Sequence, residues 1–196
     1  MKKITAMVLA LTMAFGLSAC GTKTNTESVK NTESTQDTRK DFVFGDYVGN
    51  VDPAPGAYAW VGMRIGVMES LFRFDENLNV EKNLVEDYSV SEDGLVWTIE
   101  LKDHVLFQSG NPMDAEAVKA SLERTCSMQS RADQELNIAS MEADGNTLKI
   151  TTRKPNPTLP NCMCDPYSGI VDVKSLDEEG NATVGTGPFK LVEYVE

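Results

Sequence analysis

Residues 84–113 read LVEDYSVSEDGLVWTIELKDHVLFQSGNPM and carry the clearest structural pattern in the sequence. Near their centre, the apolar residues Trp97, Ile99 and Leu101 alternate with mostly polar ones. This period of two is typical of a strand with one buried face. Gly94 closes a tight turn just before it, because glycine adopts a positive φ that other residues resist. The stretch therefore predicts a turn that leads into a half-buried strand.

A second strand and a helix are predicted directly afterwards. The short apolar run 105–107 indicates the strand, and the Ser-Gly-Asn-Pro sequence at 109–112 ends it. Asp114 then begins the helix, with its carboxylate placed to accept hydrogen bonds from free backbone N–H groups. Strand, turn, strand, loop and capped helix together indicate an α/β protein.

The helix after Asp114 has one apolar face. Val118, Leu122 and Cys126 lie four residues apart and are expected to be buried. Its polar residues are expected to be free to face water: Lys119, Glu123 and Arg124.

Other stretches give further predictions of secondary structure. Residues 42–44 indicate a first strand, and apolar side chains at helical spacing predict a helix between residues 60 and 71. Two strand-like runs around Asp-Gly predict a hairpin over residues 138–152. The sequence VGTGPFKL at 184–191 indicates a turn that enters a strand.

Residues 1–20 have the composition of a secretory signal. Lys2 and Lys3 precede a mostly apolar run that is shorter than the roughly 20 residues a membrane span needs. The Leu-Ser-Ala-Cys sequence that follows is similar to the lipobox of bacterial lipoproteins. The similarity implies a lipoprotein signal peptide over residues 1–19 and lipid attachment at Cys20; the alternative is an ordinary signal peptide with an incidental cysteine. Residues 20–41 have almost no apolar side chains and are expected to form a flexible linker.

The amino-acid identities at 88–118 are more informative than the secondary-structure pattern alone. The sequence Tyr-Ser-Val-Ser-Glu-Asp-Gly, a Trp-Thr-Ile-Glu-Leu-Lys strand, a Phe-x-x-Gly-x-Pro loop and Asp-Ala-Glu-Ala-Val follow one another here. In that order they resemble the peptide/nickel class, family 5, of ABC-transporter substrate-binding proteins. The resemblance is dense over these positions and extends more thinly from residue 42 to the C-terminus.

The resemblance implies an α/β fold with mixed sheets and flanking helices, as the N-terminal part of a two-lobe, periplasmic-binding-protein-like (class II) fold. Residues 42–196 would form this part, with a small subdomain over about 75–183 and pieces of the large lobe at 42–74 and 184–196. Because members of the family continue for several hundred more residues, the chain is expected to be truncated. A single wall of the cleft is expected to bind ligand only weakly.

The implied function is capture of a peptide, or of nickel or a chelated cation, for uptake. The implied partners are the permease and ATPase subunits of an ABC transporter, and closure of the lobes over the ligand needs no cofactor and no enzymatic step. The implied location is extracytoplasmic, lipid-anchored to the outer face of the bacterial cytoplasmic membrane, at the cell surface or in a periplasm. The alternatives are a surface lipoprotein that acts through protein–protein contacts and a non-functional truncated fragment.

Three residues are candidates for ligand contact because of the resemblance. Tyr58 and Trp60 follow the first predicted strand, where the chain of the family approaches the cleft; the alternative is that both pack in the core. Arg131 follows the predicted helix, where some members direct a basic side chain at the cleft to pair with a ligand carboxylate. The alternative for Arg131 is a solvated surface arginine.

The short Cys-Met-Cys-Asp motif has the chemistry of a soft metal site. Cys162 and Cys164, with His104 as the single nitrogen ligand, form a weak alternative metal site. A closed site usually needs three or four protein ligands, so no metal site is the favoured expectation. In an exported protein, a disulfide from Cys126 to Cys162 or Cys164 and three free thiols both remain open.

The composition argues against two other classes of function. The formal net charge is −12 at pH 7, and no basic face is available for the phosphates of a nucleic acid. The chain has one histidine, and it has neither an activated nucleophile beside a base nor a Walker-type phosphate loop. The sequence therefore predicts a binding protein rather than an enzyme or a nucleic-acid-binding protein.

Overall fold

Residues 50–56 and 59–193 are described by the structure, which is a computed structural model. Their helices are α1 (Ala59–Arg64), α2 (Ala115–Met128), α3 (Ser130–Leu136) and α4 (Leu159–Cys162), with a 3-10 helix at Pro166–Ser168. Their strands are β1 (Phe72–Phe74), β2 (Val80–Lys82), β3 (Val85–Val90), β4 (Val96–Leu101), β5 (Ile138–Asp144) and β6 (Thr147–Thr152). None of these helices is long and apolar enough to cross a membrane.

An antiparallel sheet of four strands, in the order β3-β4-β6-β5, lies at the centre of the fold. The strand predicted from alternation is β4, which pairs with β3 on one side and β6 on the other. Trp97, Ile99 and Leu101 are buried, so both the strand and its buried face are confirmed. The predicted hairpin is formed by β5 and β6, and Gly145 in its turn has a φ of 58°.

Two apolar clusters form the core. The larger one packs side chains of the sheet against α2, among them Ile99, Leu148, Ile150, Val118 and Leu122. The smaller one joins the surroundings of α1 to a later part of the chain: Val51, Val61, Val67, Met68, Val171 and Ala182. On the predicted apolar face of α2, Val118 and Leu122 are buried and Cys126 is partly buried, because the helix covers one side of the sheet.

The polar face of α2 differs in part from the prediction. The helix begins at the predicted cap, where the carboxylate of Asp114 accepts a hydrogen bond from the backbone N–H of Ala117 at 2.9 Å. Arg124, however, does not simply face water. Its guanidinium donates two hydrogen bonds, of 2.9 and 2.5 Å, to the buried carboxylate of Asp52. The prediction for Arg124 was wrong because its partner lies 72 residues away in the sequence and leaves no local pattern.

Two predicted elements differ in the structure from the sequence pattern: one is shorter and the other does not form. The helix expected between residues 60 and 71 ends at Arg64, because the chain turns at Gly66 with a φ of 72°. Residues 105–107 do not form a strand. Leu106 makes one isolated bridge to Pro112, and the N–H of Phe107 donates within the same loop, so no ladder extends from it.

The strand predicted from residues 184–191 is also absent from the described part of the chain. The amides of Gly187 and Phe189 donate instead to the carbonyls of Val67 and Gly66, each at 3.0 Å. The side-chain amide of Gln108 also donates to the carbonyls of Val67, Gly187 and Phe189 at 2.8, 2.9 and 2.6 Å. The partners of residues 184–191 are therefore a loop and a side chain rather than a strand, so no ladder forms. The strand predicted at residues 42–44 lies outside the described residues.

Two loops, 75–79 and 177–181, share one geometry. In each, the carboxylate of the leading aspartate accepts the backbone N–H of the asparagine four residues later, at 2.8 and 2.7 Å. The fourth residue of each loop has a positive φ, which is 65° at Leu78 and 85° at Gly180. Since a side chain is disfavoured in this conformation, the first loop carries a steric cost that the second avoids.

We expect Leu78→Gly to raise the free energy of unfolding by about 0.5–1 kcal/mol, as relief of the backbone strain exceeds the entropy cost of glycine. The leucine side chain is 78% exposed, so its removal loses little burial. The matched control is Gly180→Ala, which should lower stability by a similar amount although no atom lies within 4 Å of the added Cβ. Urea unfolding measures both. A less stable Leu78→Gly variant would contradict the argument.

Candidate functional site

The Cys-Met-Cys-Asp motif and Arg131 meet beside one surface pocket. The pocket has a volume of about 380 Å³. Arg131 borders it through hydrogen bonds to two of its lining residues, Glu135 and Asp165. The lining residues come from the end of β1, from α3, from α4 and from the turn that leads into the 3-10 helix: Phe74, Glu135, Asn161, Cys162, Cys164, Asp165 and Pro166. Two features that were predicted separately thus share one site.

The turn after α4 fixes the cysteines at the pocket. Met163 is fully buried in the larger core cluster, and this holds its two neighbours beside the lining. The backbone N–H of Cys164 donates to the carbonyl of Asn161 at 3.0 Å, and the N–H of Asp165 donates to that of Cys162 at 3.2 Å. The motif is therefore a tight turn, which explains how thiols and a carboxylate line one wall.

A cluster of charged side chains holds the rim of the pocket together. The Nε of Arg131 donates to Oε1 of Glu135 at 2.9 Å, one helical turn away in α3, and its Nη2 donates to Oδ2 of Asp165 at 3.0 Å. The hydroxyl of Tyr167 donates to the other oxygen of Glu135 at 2.7 Å. The guanidinium of Arg131 thus lies between two carboxylates.

The ionisation of the cluster follows from these contacts. The hydrogen bond to Glu135 raises the pKa of Arg131, and the same bond holds the pKa of Glu135 below its usual value. Burial, and then the hydrogen bond to Glu135, raise the pKa of Tyr167. At neutral pH Tyr167 is therefore neutral, while Arg131 and Glu135 are charged.

The thiols of the described residues are unpaired. Cys126, Cys162 and Cys164 are all free, so the structure has the three thiols rather than the disulfide. Burial is the main cause that raises the pKa of each, to about 11 for Cys126 and Cys164. Within residues 50–56 and 59–193, no three His, Cys, Asp or Glu side chains are grouped to hold a metal ion. His104 lies in the turn after β4 and is not among the residues that line the pocket.

The other candidate residues are not part of this pocket. Trp60 lies on α1 and is 39% exposed, with the guanidinium carbon of Arg64 3.5 Å from its ring centroid. It does not line the pocket beside Arg131. Tyr58 and the predicted lipid attachment residue Cys20 lie outside the described residues.

Sequence reasoning missed Glu135, Tyr167 and Phe74. The spacing of Arg131 and Glu135, four residues apart, is a recognisable pattern on a helix, although α3 itself was not predicted. No comparable pattern links Arg131 to Asp165, which lies 34 residues later. The pocket therefore depends on tertiary contacts that a reading of local patterns cannot find.

The fold and the pocket suit a ligand-binding domain, and comparison with known proteins identifies its family. Residues 79–196 match the family described as bacterial extracellular solute-binding proteins, family 5, middle. The chain belongs to this family, which is one of binding proteins rather than enzymes. The predicted family is therefore confirmed.

Among curated proteins, the chain is similar to the nickel-binding protein NikA of Staphylococcus aureus, with 35% identity over 134 residues. That match covers 68% of this chain and 27% of NikA. It is also similar to the glutathione-binding protein GsiB of Escherichia coli O1:K1, with 34% identity over 131 residues that cover 63% of this chain and 26% of GsiB. The chain thus spans about a quarter of the length of these relatives.

Among solved structures, the chain is similar to a nickel ABC transporter protein from Bacillus halodurans, with 40% identity and a TM-score of 0.68. That match covers 74% of this chain and 30% of the other. NikA from S. aureus in complex with Ni(L-His)2 gives 34% identity and a TM-score of 0.68, over 74% and 31% of the two chains. The predicted fold class, part of a two-lobe binding-protein fold, is confirmed by these matches.

Proposed function

We propose that the chain captures a small solute outside the cytoplasm for uptake through an ABC transporter. The match of residues 79–196 to the solute-binding family is the observation that supports this most directly. In the proposal, residues 75–183 form the small subdomain of one lobe, and 42–74 and 184–196 belong to the large lobe. Closure of the lobes over the solute presents it to the permease, while the ATPase supplies the energy for transport.

The proposed solute is derived from amino acids: a nickel–amino-acid chelate or a small peptide. The relatives with printed ligands support this class, because Ni(L-His)2 and glutathione both carry amino and carboxylate groups. The pocket beside Arg131 suits a polar solute of this kind. Its lining combines the carboxylates of Glu135 and Asp165, the amide of Asn161 and the ring of Phe74. Trp60 and Tyr58 stay candidates for further contacts.

Titration of the purified chain with Ni(L-His)2 and with glutathione tests this function. We expect saturable binding of at least one of the two solutes, because the pocket offers carboxylates, an amide and an aromatic ring to a polar ligand. Asn161→Trp, which places an indole in the pocket from an exposed position, should abolish it. Glu178→Trp, at an exposed loop position, is the matched control and should bind normally. If neither solute binds saturably, the proposal is contradicted.

In the same proposal, residues 1–19 direct export, Cys20 carries the lipid and residues 20–41 link the lipid to the domain. Covalent lipid contributes roughly 0.8 kcal/mol per buried CH₂, which suffices for a firm membrane anchor when two chains are attached. We expect Cys20→Ala to release the protein from the membrane fraction or to leave the precursor unprocessed. Cys126→Ala is the control and should fractionate as the unmodified protein does. Unchanged fractionation and mass of Cys20→Ala would rule the anchor out.

A further inference from the structure

We propose that the pocket beside Arg131 recognises the positively charged amino group of a peptide solute. This inference rests on the proposed function, since it takes the pocket to be part of the ligand site. It departs from the expectation that Arg131 pairs with a ligand carboxylate. The reason is the charge that already surrounds the guanidinium.

The charge of Arg131 is already compensated within the protein. Its guanidinium donates to Glu135 at 2.9 Å and to Asp165 at 3.0 Å, so two carboxylates face one cation. The three groups together carry one net negative charge. Of the lining residues that the structure describes, those with a charge are Glu135 and Asp165, and both are negative. An incoming carboxylate would have to compete with these two and would be repelled by them.

An incoming ammonium group finds the opposite situation. A carboxylate oxygen has two lone pairs, so the oxygens of Glu135 and Asp165 can accept a further hydrogen bond while they keep Arg131. The carboxyl of Glu135 stays ionised, since the bond from Arg131 lowers its pKa. The ring of Phe74 is 45% exposed on the same pocket, and the face of an aromatic ring attracts a cation. The walls thus offer two acceptors and a π-surface.

The pocket is also of a suitable size. A volume of about 380 Å³ lies within the range of small-molecule sites, and the thiols of Cys162 and Cys164 add polarizable surface without charge. Both thiols remain protonated at neutral pH, because burial raises their pKa. No positive group lines the pocket among the described residues, and the charge of Arg131 at its rim is outweighed by the two charges of Glu135 and Asp165.

Three matched dipeptides test the inference on the full chain. The probes are L-alanyl-L-alanine, its N-acetyl derivative, which lacks the ammonium, and its C-terminal amide, which lacks the carboxylate. We expect N-acetylation to weaken binding by about threefold to fivefold, the scale of a half-exposed ion pair, and amidation to change it less. Protection of Cys162 from iodoacetamide by the bound dipeptide, followed by mass spectrometry, reports whether the probe lies in this pocket.

Charge variants separate recognition from support of the fold. Glu135→Gln and Asp165→Asn should each weaken binding of the free dipeptide by about threefold, while Arg131→Gln should strengthen it by a similar factor. Loss of binding in all three variants would indicate a structural role and overturn the inference.

Equal binding of the free and N-acetyl dipeptides would also overturn it, and the proposed function would stand. If neither the dipeptides nor Ni(L-His)2 bind at all, both proposals fail.

Discussion

Asp52→Ala is expected to lower the free energy of unfolding by about 3–5 kcal/mol, because it leaves a largely buried arginine without its counter-charge. The side chains of Arg124 and Asp52 are 13% and 0% exposed. The carboxylate of Asp52 also accepts the backbone N–H groups of Ala54 and Ala182, at 2.9 and 2.8 Å. One side chain therefore satisfies a cation and two buried amides. Urea unfolding followed by circular dichroism measures the loss.

The matched control is the exposed ion pair of Asp133 and Arg153. Its side chains are 36% and 48% exposed, although its shortest N–O distance of 2.5 Å equals that of the buried pair. Asp133→Ala should therefore lower the free energy of unfolding far less than Asp52→Ala, because water replaces the lost partner. If Asp52→Ala were as mild as Asp133→Ala, the buried ion pair would not have the structural importance assigned to it.

Gly187→Ala is expected to lower the free energy of unfolding by about 3 kcal/mol, through overlap with backbone that cannot easily move. A Cβ at this position would overlap the carbonyl oxygen of Gly66 and would lie 2.8 Å from the carbonyl carbon of Val67. At the same place, the N–H of Gly187 donates a hydrogen bond to the carbonyl of Val67. The substitution should therefore detach the segment from the loop after α1. Thermal or urea unfolding gives the measurement.

Gly110→Ala separates this overlap from the conformational preference of glycine. Gly110 has a φ of 92°, and no atom lies within 4 Å of its added Cβ. Its substitution should therefore cost only the strain of a side chain at positive φ, about 1–2 kcal/mol. A cost at Gly187 no larger than that at Gly110 would show that the backbone near Gly66 gives way.

Elements with a local signal could be predicted from the sequence. The strand β4 was found from the alternation of Trp97, Ile99 and Leu101, because one of its faces is buried on the core. The start of α2 was found from Asp114, whose carboxylate caps the helix as expected. The hairpin of β5 and β6 was found from the glycine in its turn. In each case a few neighbouring residues determine the backbone.

Features that depend on distant residues could not be predicted in this way. Arg124 was assigned to solvent because its own helix contains no partner, and Asp52 reaches it only in the folded chain. Arg131 was linked to a ligand by resemblance, whereas Glu135 and Asp165 already hold it in the structure. The strand expected after residue 184 failed for the same reason, since its hydrogen bonds go to the loop at Gly66.

The hydrogen bonds of Gln108 set an order of events during protein synthesis. Translation delivers the chain from its N-terminus, so Gln108 and the carbonyl of Val67 leave the ribosome well before Gly187, 79 residues after Gln108. Until that segment emerges, this edge of the nascent domain remains hydrated and incomplete. Docking of residues 185–189 therefore follows the synthesis of the rest of this edge, and a ribosome stalled before them holds a domain in which Gln108 lacks two of its acceptors.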